Sequence, residues 1–111
     1  AVFIEEGEAN STISTILNNV PDTKHKVVRL DNVEINASDL LPTNGSHYQF
    51  SSSLTTPPCS ENVLWNILKD PITLSKEQID KFISIMGDNA RPIQPLNDRK
   101  IILINTDKIL E

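Results

Sequence analysis

The stretch Ser51 to Trp65, reading Ser-Ser-Ser-Leu-Thr-Thr-Pro-Pro-Cys-Ser-Glu-Asn-Val-Leu-Trp, constrains this chain more than any other. Each proline of Pro57-Pro58 fixes its own φ and narrows the choices of the residue before it, so Thr55 and Thr56 lose backbone freedom. The stretch is polar and turn-bound until it runs into the apolar segment Val63 to Leu68. Composition alone describes an ordered loop leading into a strand. Hydroxyls and amides held that stiffly also make good donors and acceptors for a binding site.

The rest of the chain alternates helical and strand patterns around that loop. Ala1-Val-Phe-Ile is a bare apolar run with no cap before it, the pattern of a buried strand. Ile13, Ile16, Leu17 and Val20 fall at i, i+3, i+4, i+7, one stripe of a helix capped by Asn10 or Ser11 and ended by Pro21-Asp22. Lys26 to Leu30, with Val27 and Val28, reads as a short strand. Asn44-Gly45 is a turn signal. His47 to Phe50 and Val63 to Leu68 read as strands, so the Thr-Thr loop joins two strands of one sheet. Ser75-Lys-Glu-Gln is a capping box that opens a helix with Ile79, Phe82, Ile83 and Met86 on one face and Gly87 at its end. Lys100 to Asn105 closes as a strand. The fold class is mixed α and β, without repeats or linkers.

A chain of 111 residues is enough for one domain. Its net charge of −5 and the lack of any basic run make nucleic acid a poor partner. No apolar run approaches the roughly 20 residues of a membrane span. Cys59 is the single cysteine and cannot form an intramolecular disulfide, and no His or Lys nearby in sequence would activate it. Three Asn-x-Ser/Thr triplets, at Asn10, Asn36 and Asn44, are acceptor patterns for N-glycosylation and fit a secretory route.

Ser-Leu-Thr-Thr-Pro-Pro-Cys-Ser-Glu followed by Trp65 resembles the active-site loop of the α-class carbonic anhydrases. Pro71-Ile-Thr-Leu-Ser-Lys-Glu-Gln and Asn89-Ala-Arg-Pro-Ile-Gln-Pro-Leu match the same family in the same order, and the resemblance runs from about Phe3 to Ile104. It implies a central, largely antiparallel twisted sheet with peripheral helices. Residues 1–111 would form the C-terminal portion of one such domain, with the N-terminal half absent. It also implies that Asp39-Leu-Leu-Pro makes a helical turn and that Pro57-Pro58 is cis.

The implied activity is zinc-dependent, reversible hydration of carbon dioxide to bicarbonate. Catalytic zinc needs three protein ligands and an open fourth position, and carbonic anhydrase is itself the standard instance of a three-histidine site. This chain has two histidines, His25 and His47, with no His-x-His pair, so its zinc ligands, the carboxylate partner of the threonine and the proton shuttle are all expected upstream. His47 and Phe50 stand where the family commonly has tyrosines. By resemblance Thr55 accepts a hydrogen bond from the attacking hydroxide, Thr56 lines the substrate side, and Leu54 and Trp65 border the carbon dioxide pocket. Ordinary core packing is the plainer explanation of Trp65. Glu61 and Arg91 would hold the loop through charge-assisted bonds, and Cys59 would pair with a cysteine of the absent half, as in secreted members. A location outside the cell follows from that resemblance. The alternative is a related domain that kept the fold, lost the metal and acts as a binding module; the chain alone is expected to be inactive.

Overall fold

The computed structural model describes residues 1–106. Its elements are β1 (Ile4–Glu6), α1 (Ser11–Asn18), a 3-10 turn (Ala37–Leu40), β2 (His47–Ser53), β3 (Glu61–Leu68), β4 (Ile72–Leu74), α2 (Lys76–Met86) and β5 (Ile102–Ile104). Contacts divide them into two compact units. One holds residues 1–3, 42–71 and 88–106; the other holds Ile4–Leu41 and Ile72–Gly87.

In the helical unit, both helices begin where local chemistry tells them to. Asn10 caps α1 by accepting from the Ile13 amide at 3.0 Å, and the stripe of Ile13 and Leu17 is buried with Leu74 of β4. Val20 lies beyond the last turn, because α1 already ends at Asn18. Lys81 Nζ donates to the Leu17 carbonyl at 3.1 Å, a cation placed on one of the orphan acceptors at a helix C-terminus. The Ser75–Gln78 capping box forms as read, and Gly87 closes α2 at φ 66°, a left-handed angle that glycine adopts without a Cβ penalty. The inner face differs from the expected one: Ile79, Phe82 and Ile85 pack on the core, while Ile83 and Met86 are exposed. Two apolar phases compete on this helix, and the one sharing a face with the buried Gln78 wins.

β1 pairs in parallel with β4, Ile4 opposite Ile72 through Glu6 opposite Leu74. Gly7 continues the pairing, its amide donating to the Leu74 carbonyl at 2.8 Å. A Cβ there would meet the Thr73 side chain at 2.8 Å, so only glycine allows the approach. The strand expected at the chain start is thus present, but displaced to Ile4–Glu6 and exposed instead of buried. Its partner β4 is a strand that the pattern Pro71-Ile-Thr-Leu does not announce. Lys26 to Leu30 is no strand: it follows a turn with His25 at φ 66°, finds no partner ladder among the described residues, and leaves Val27 93 % exposed. Strand propensity is mostly packing against neighbours, and here there are none.

In the sheet unit, β3, β2 and β5 pair antiparallel in that order. β2 runs on to Ser53 and β3 starts at Glu61, both longer than their apolar cores suggest; β5 is shorter, Ile102–Ile104. Register is Phe50 opposite Trp65 and Ser52 opposite Val63, then shifts so that Ser53 faces Glu61. The extra residue is Asn62, at φ 66°, a side chain type that tolerates this left-handed bulge. Ala1 lies along the outer edge of β3, taking the Leu68 amide at 3.0 Å and donating to the Asn66 carbonyl at 2.6 Å.

Candidate functional site

The Thr-Thr loop, residues 54–60, spans the end of the β2–β3 ladder. Its mouth is closed by the Leu54 amide donating to the Ser60 carbonyl at 2.9 Å. Inside that mouth the Cys59 amide donates to the Thr56 carbonyl at 2.8 Å, and the Pro57–Pro58 bond between them is cis. A four-residue turn with a cis proline third is the type VI arrangement. Two nested backbone bonds therefore hold Thr55 and Thr56 at the rim, both exposed.

Trp65 anchors the loop from below. Along β3 the half-buried residues alternate, Val63, Trp65 and Ile67, as one face of a strand should. Trp65 stands opposite Phe50, an aromatic pair across the ladder, and its Nε1 donates to the Ser53 carbonyl at 2.9 Å. That carbonyl belongs to the residue just before Leu54, so the indole ties the strand face to the loop mouth. Leu54 is 44 % exposed.

Two arginines hold the segment that follows α2. Arg91 Nη1 donates to the Ser53 hydroxyl at 3.2 Å, the loop-holding bond expected of it. Glu61 makes no ion pair among the described residues and is exposed. The stronger clamp is Arg99: its guanidinium donates to the carbonyls of Leu96, Ser51 and Pro95 at 2.8, 2.8 and 3.0 Å. Sequence reasoning passed over it. The signal was the pair Asn97-Asp98 before it, two residues at φ 49° and 66° that fold the chain back. Ser51, Ser53, Asn62, Arg91, Gln94 and Arg99 line a polar cavity of about 470 Å³. Thr55, Thr56, Leu54 and Trp65 are not part of its lining.

Cys59 is half-buried and a free thiol, held at φ 56°. His47 Nδ1 is 2.9 Å from the Gly45 carbonyl. His25 belongs to the other unit, in the turn before Val27. Among the described residues no group of three or more His, Cys, Asp or Glu is placed to hold a metal ion. The residues present therefore do not fit a catalytic zinc, which needs three such donors on one point. No helix of the described residues is long and apolar enough to cross a membrane.

The chain is thus a mixed α and β protein in which a nested proline turn at the end of an antiparallel ladder leaves two threonines exposed. Residues 1–105 match the model of the eukaryotic-type carbonic anhydrases. A carbonic anhydrase of Nostoc sp. is 44 % identical over 101 residues, covering 91 % of this chain and 38 % of the relative. One from Pectobacterium carotovorum is 44 % identical over 108 residues, covering 92 % and 42 %. Among solved structures, a hyperthermostable carbonic anhydrase from a hydrothermal vent chimney superposes with a TM-score of 0.86 at 46 % identity, covering 94 % of this chain and 46 % of that one. The α-carbonic anhydrase of Thermovibrio ammonificans, solved with sulfanilamide, gives 0.85 at 42 % identity, covering 90 % and 44 %. This chain belongs to the carbonic anhydrase family. It spans about two fifths of the length of these curated relatives.

Proposed function

We propose that this chain forms the substrate-side wall of a zinc-dependent enzyme that interconverts carbon dioxide and bicarbonate. The observation that carries the reading is the loop itself: Thr55 and Thr56 stand exposed at the rim of a doubly bonded turn, in a chain of this family. On this reading Leu54 and Trp65 border the carbon dioxide pocket, Thr56 lines its substrate side, and the zinc ligands come from polypeptide outside these residues. The chain alone is then inactive. Residues 1–111 act as the C-terminal portion of one domain, and the protein works outside the cell, with Cys59 bonded to a cysteine elsewhere in it.

Thr55 is the residue that does chemical work here. A threonine hydroxyl has one proton and two acceptor lone pairs. With its own O–H donated to a carboxylate, the Thr55 oxygen could only accept, so it would accept a hydrogen bond from the attacking hydroxide and orient a lone pair of that hydroxide toward carbon dioxide. Hydrogen bonds to charged groups are worth about 1.5–3 kcal/mol. Thr55→Ala is therefore expected to lower kcat/KM by about ten- to a hundredfold, each 1.36 kcal/mol being tenfold. Zinc content stays unchanged, because no ligand is touched. Stopped-flow hydration with metal analysis tests this on the protein as its host makes it. An unchanged rate removes Thr55 from the mechanism.

A second reading rests on the way the loop is held, by backbone bonds and an indole that involve no metal ligand. On it the chain belongs to a related domain that keeps the loop and serves as a binding module. No hydration by the zinc-loaded parent would decide for it.

A further inference from the structure

The three Asn-x-Ser/Thr triplets are not equivalent once folded, and the difference lies in where each hydroxyl goes. In Asn10-Ser11-Thr12 the Thr12 hydroxyl is buried and donates to Asp39 Oδ2 at 3.2 Å. Asn10 Oδ1 caps α1, as Asn36 Oδ1 caps the 3-10 turn, but Asn10 Nδ2, the atom a glycan would occupy, also donates to the Asp39 carbonyl at 3.4 Å. In Asn44-Gly45-Ser46 the Ser46 side chain is buried, donating to the Thr106 carbonyl and accepting from the Thr106 amide, each at 3.1 Å. Only in Asn36-Ala37-Ser38 does the hydroxyl turn back on its own asparagine. Ser38 Oγ donates to Asn36 Oδ1 at 2.8 Å, and the Ser38 amide donates to the same oxygen at 3.1 Å. Residues 31–39 are all exposed, so nothing among the described residues covers this triplet.

We infer that Asn36 is the N-glycan acceptor of this chain, with Ser38 as its activating hydroxyl, and that Asn10 and Asn44 are not occupied in the folded protein. Two donors on Oδ1 draw amide electron density onto oxygen and make the Nδ2–H bonds more acidic, so that a base of the transferring enzyme takes one proton and leaves Nδ2 a lone pair to give. The co-reactant is a lipid-pyrophosphate-linked oligosaccharide. Nδ2 bonds to C1 of its first sugar, and the C1–O bond to pyrophosphate breaks with its electron pair. A glycan on Asn36 extends into solvent. One on Asn10 would displace the contact with Asp39 beside a buried threonine. The native occurrence of the modification rests on the extracellular reading, but its site does not.

The test supplies the route. The protein as its host encodes it, with this chain inside it, is expressed behind a secretion leader in a eukaryotic cell that adds N-glycans, and the total lumenal protein is digested. Enzymatic deglycosylation in heavy-oxygen water then marks each formerly glycosylated asparagine as a labelled aspartate. The label is expected at position 36, to be lost in Asn36→Gln and in Ser38→Ala, and to be kept in Ser38→Thr, Asn10→Gln and Asn44→Gln. An unlabelled Asn36, or labelling of Asn10 or Asn44 to the same extent, overturns the assignment. Ser38→Ala with full occupancy overturns the role of the hydroxyl.

Discussion

Around Leu74 the chain buries apolar side chains; around Thr55 it ties backbone with hydrogen bonds. Ile13, Leu17 and Leu74 form a buried cluster in the helical unit, supported by Ile79, Phe82 and Ile85. The sheet unit has no buried large hydrophobic side chain among the described residues, and Leu64, Ile101, Ile102 and Leu103 are exposed. Its order comes instead from Arg99 on three carbonyls, Arg91 on Ser53, and Trp65 on the loop mouth. Burial is non-directional and tolerates small shifts, whereas hydrogen bonds fix atoms within tenths of an ångström. The candidate site thus sits in the unit whose bonding gives position more than it gives stability.

Truncating one leucine in each unit should separate the two most strongly. Leu74 is 1 % exposed, so Leu74→Ala removes buried methyl groups and leaves a cavity, at about 2–5 kcal/mol. Leu64 is 61 % exposed, and Leu64→Ala should stay within about 0.5 kcal/mol. Urea unfolding of both variants, in the protein as its host makes it, measures the difference. Equal losses would mean that the sheet face is buried in the assembled protein, and the contrast between the units would vanish.

Polar side chains of the two units should differ in the same direction by a smaller amount. Gln78 is buried and makes four bonds beyond its own backbone: it accepts from the Asn10 and Ser75 amides and donates to the Asn10 carbonyl and the Ser14 hydroxyl. Gln78→Ala leaves those groups unpaired away from water, at about 1–3 kcal/mol. Arg99 is only half-buried, and water can replace its three bonds, so Arg99→Ala should cost about 1 kcal/mol or less. It should nonetheless raise amide exchange at Leu54 and Cys59, next to the Thr loop, which Gln78→Ala leaves unchanged. Arg99→Lys should not restore protection, since one ammonium cannot reproduce the planar fork.

Features carried within a few residues were legible in the sequence. The Ser75–Gln78 box, the Asn10 cap and the Asn44 turn depend on neighbours that the sequence itself supplies. The Thr loop was legible through family resemblance, down to the cis proline. What stayed hidden was non-local. Nothing in Ile4-Glu5-Glu6 names Ile72–Leu74 as its parallel partner. Val27-Val28 has strand composition but gains no neighbour, and composition cannot say so. On α2, Ile83 and Ile85 are equally apolar, and only packing decides which turns inward. Arg99 was missed for the same reason, because its acceptor at Ser51 lies far back in the chain.

The smallest effect is expected at Lys76, whose Nζ lies 2.8 Å from Asp80 Oδ2 on the open face of α2. The hydrogen bond to Asp80, and after it the Asp80 charge, raise the lysine above its ordinary 10.5. A raised cationic group stabilises the fold fully below the unfolded value, and that contribution fades as pH climbs through the folded one. Three things keep it small. The lysine and most of the aspartate side chain are in water, where charges are screened. Lysine at i with its acid at i+4 is the weaker order of the pair. A cation in the first turn also opposes the helix dipole. Lys76→Met should therefore melt within experimental error of the parent at neutral pH in physiological salt. Any gap seen at low salt should close above the lysine range, where the parent also loses its charge. A clear drop in Tm at neutral pH and high salt would show that the pair is buried by something these residues do not include, and the open face of α2 would have to be redrawn as an interface.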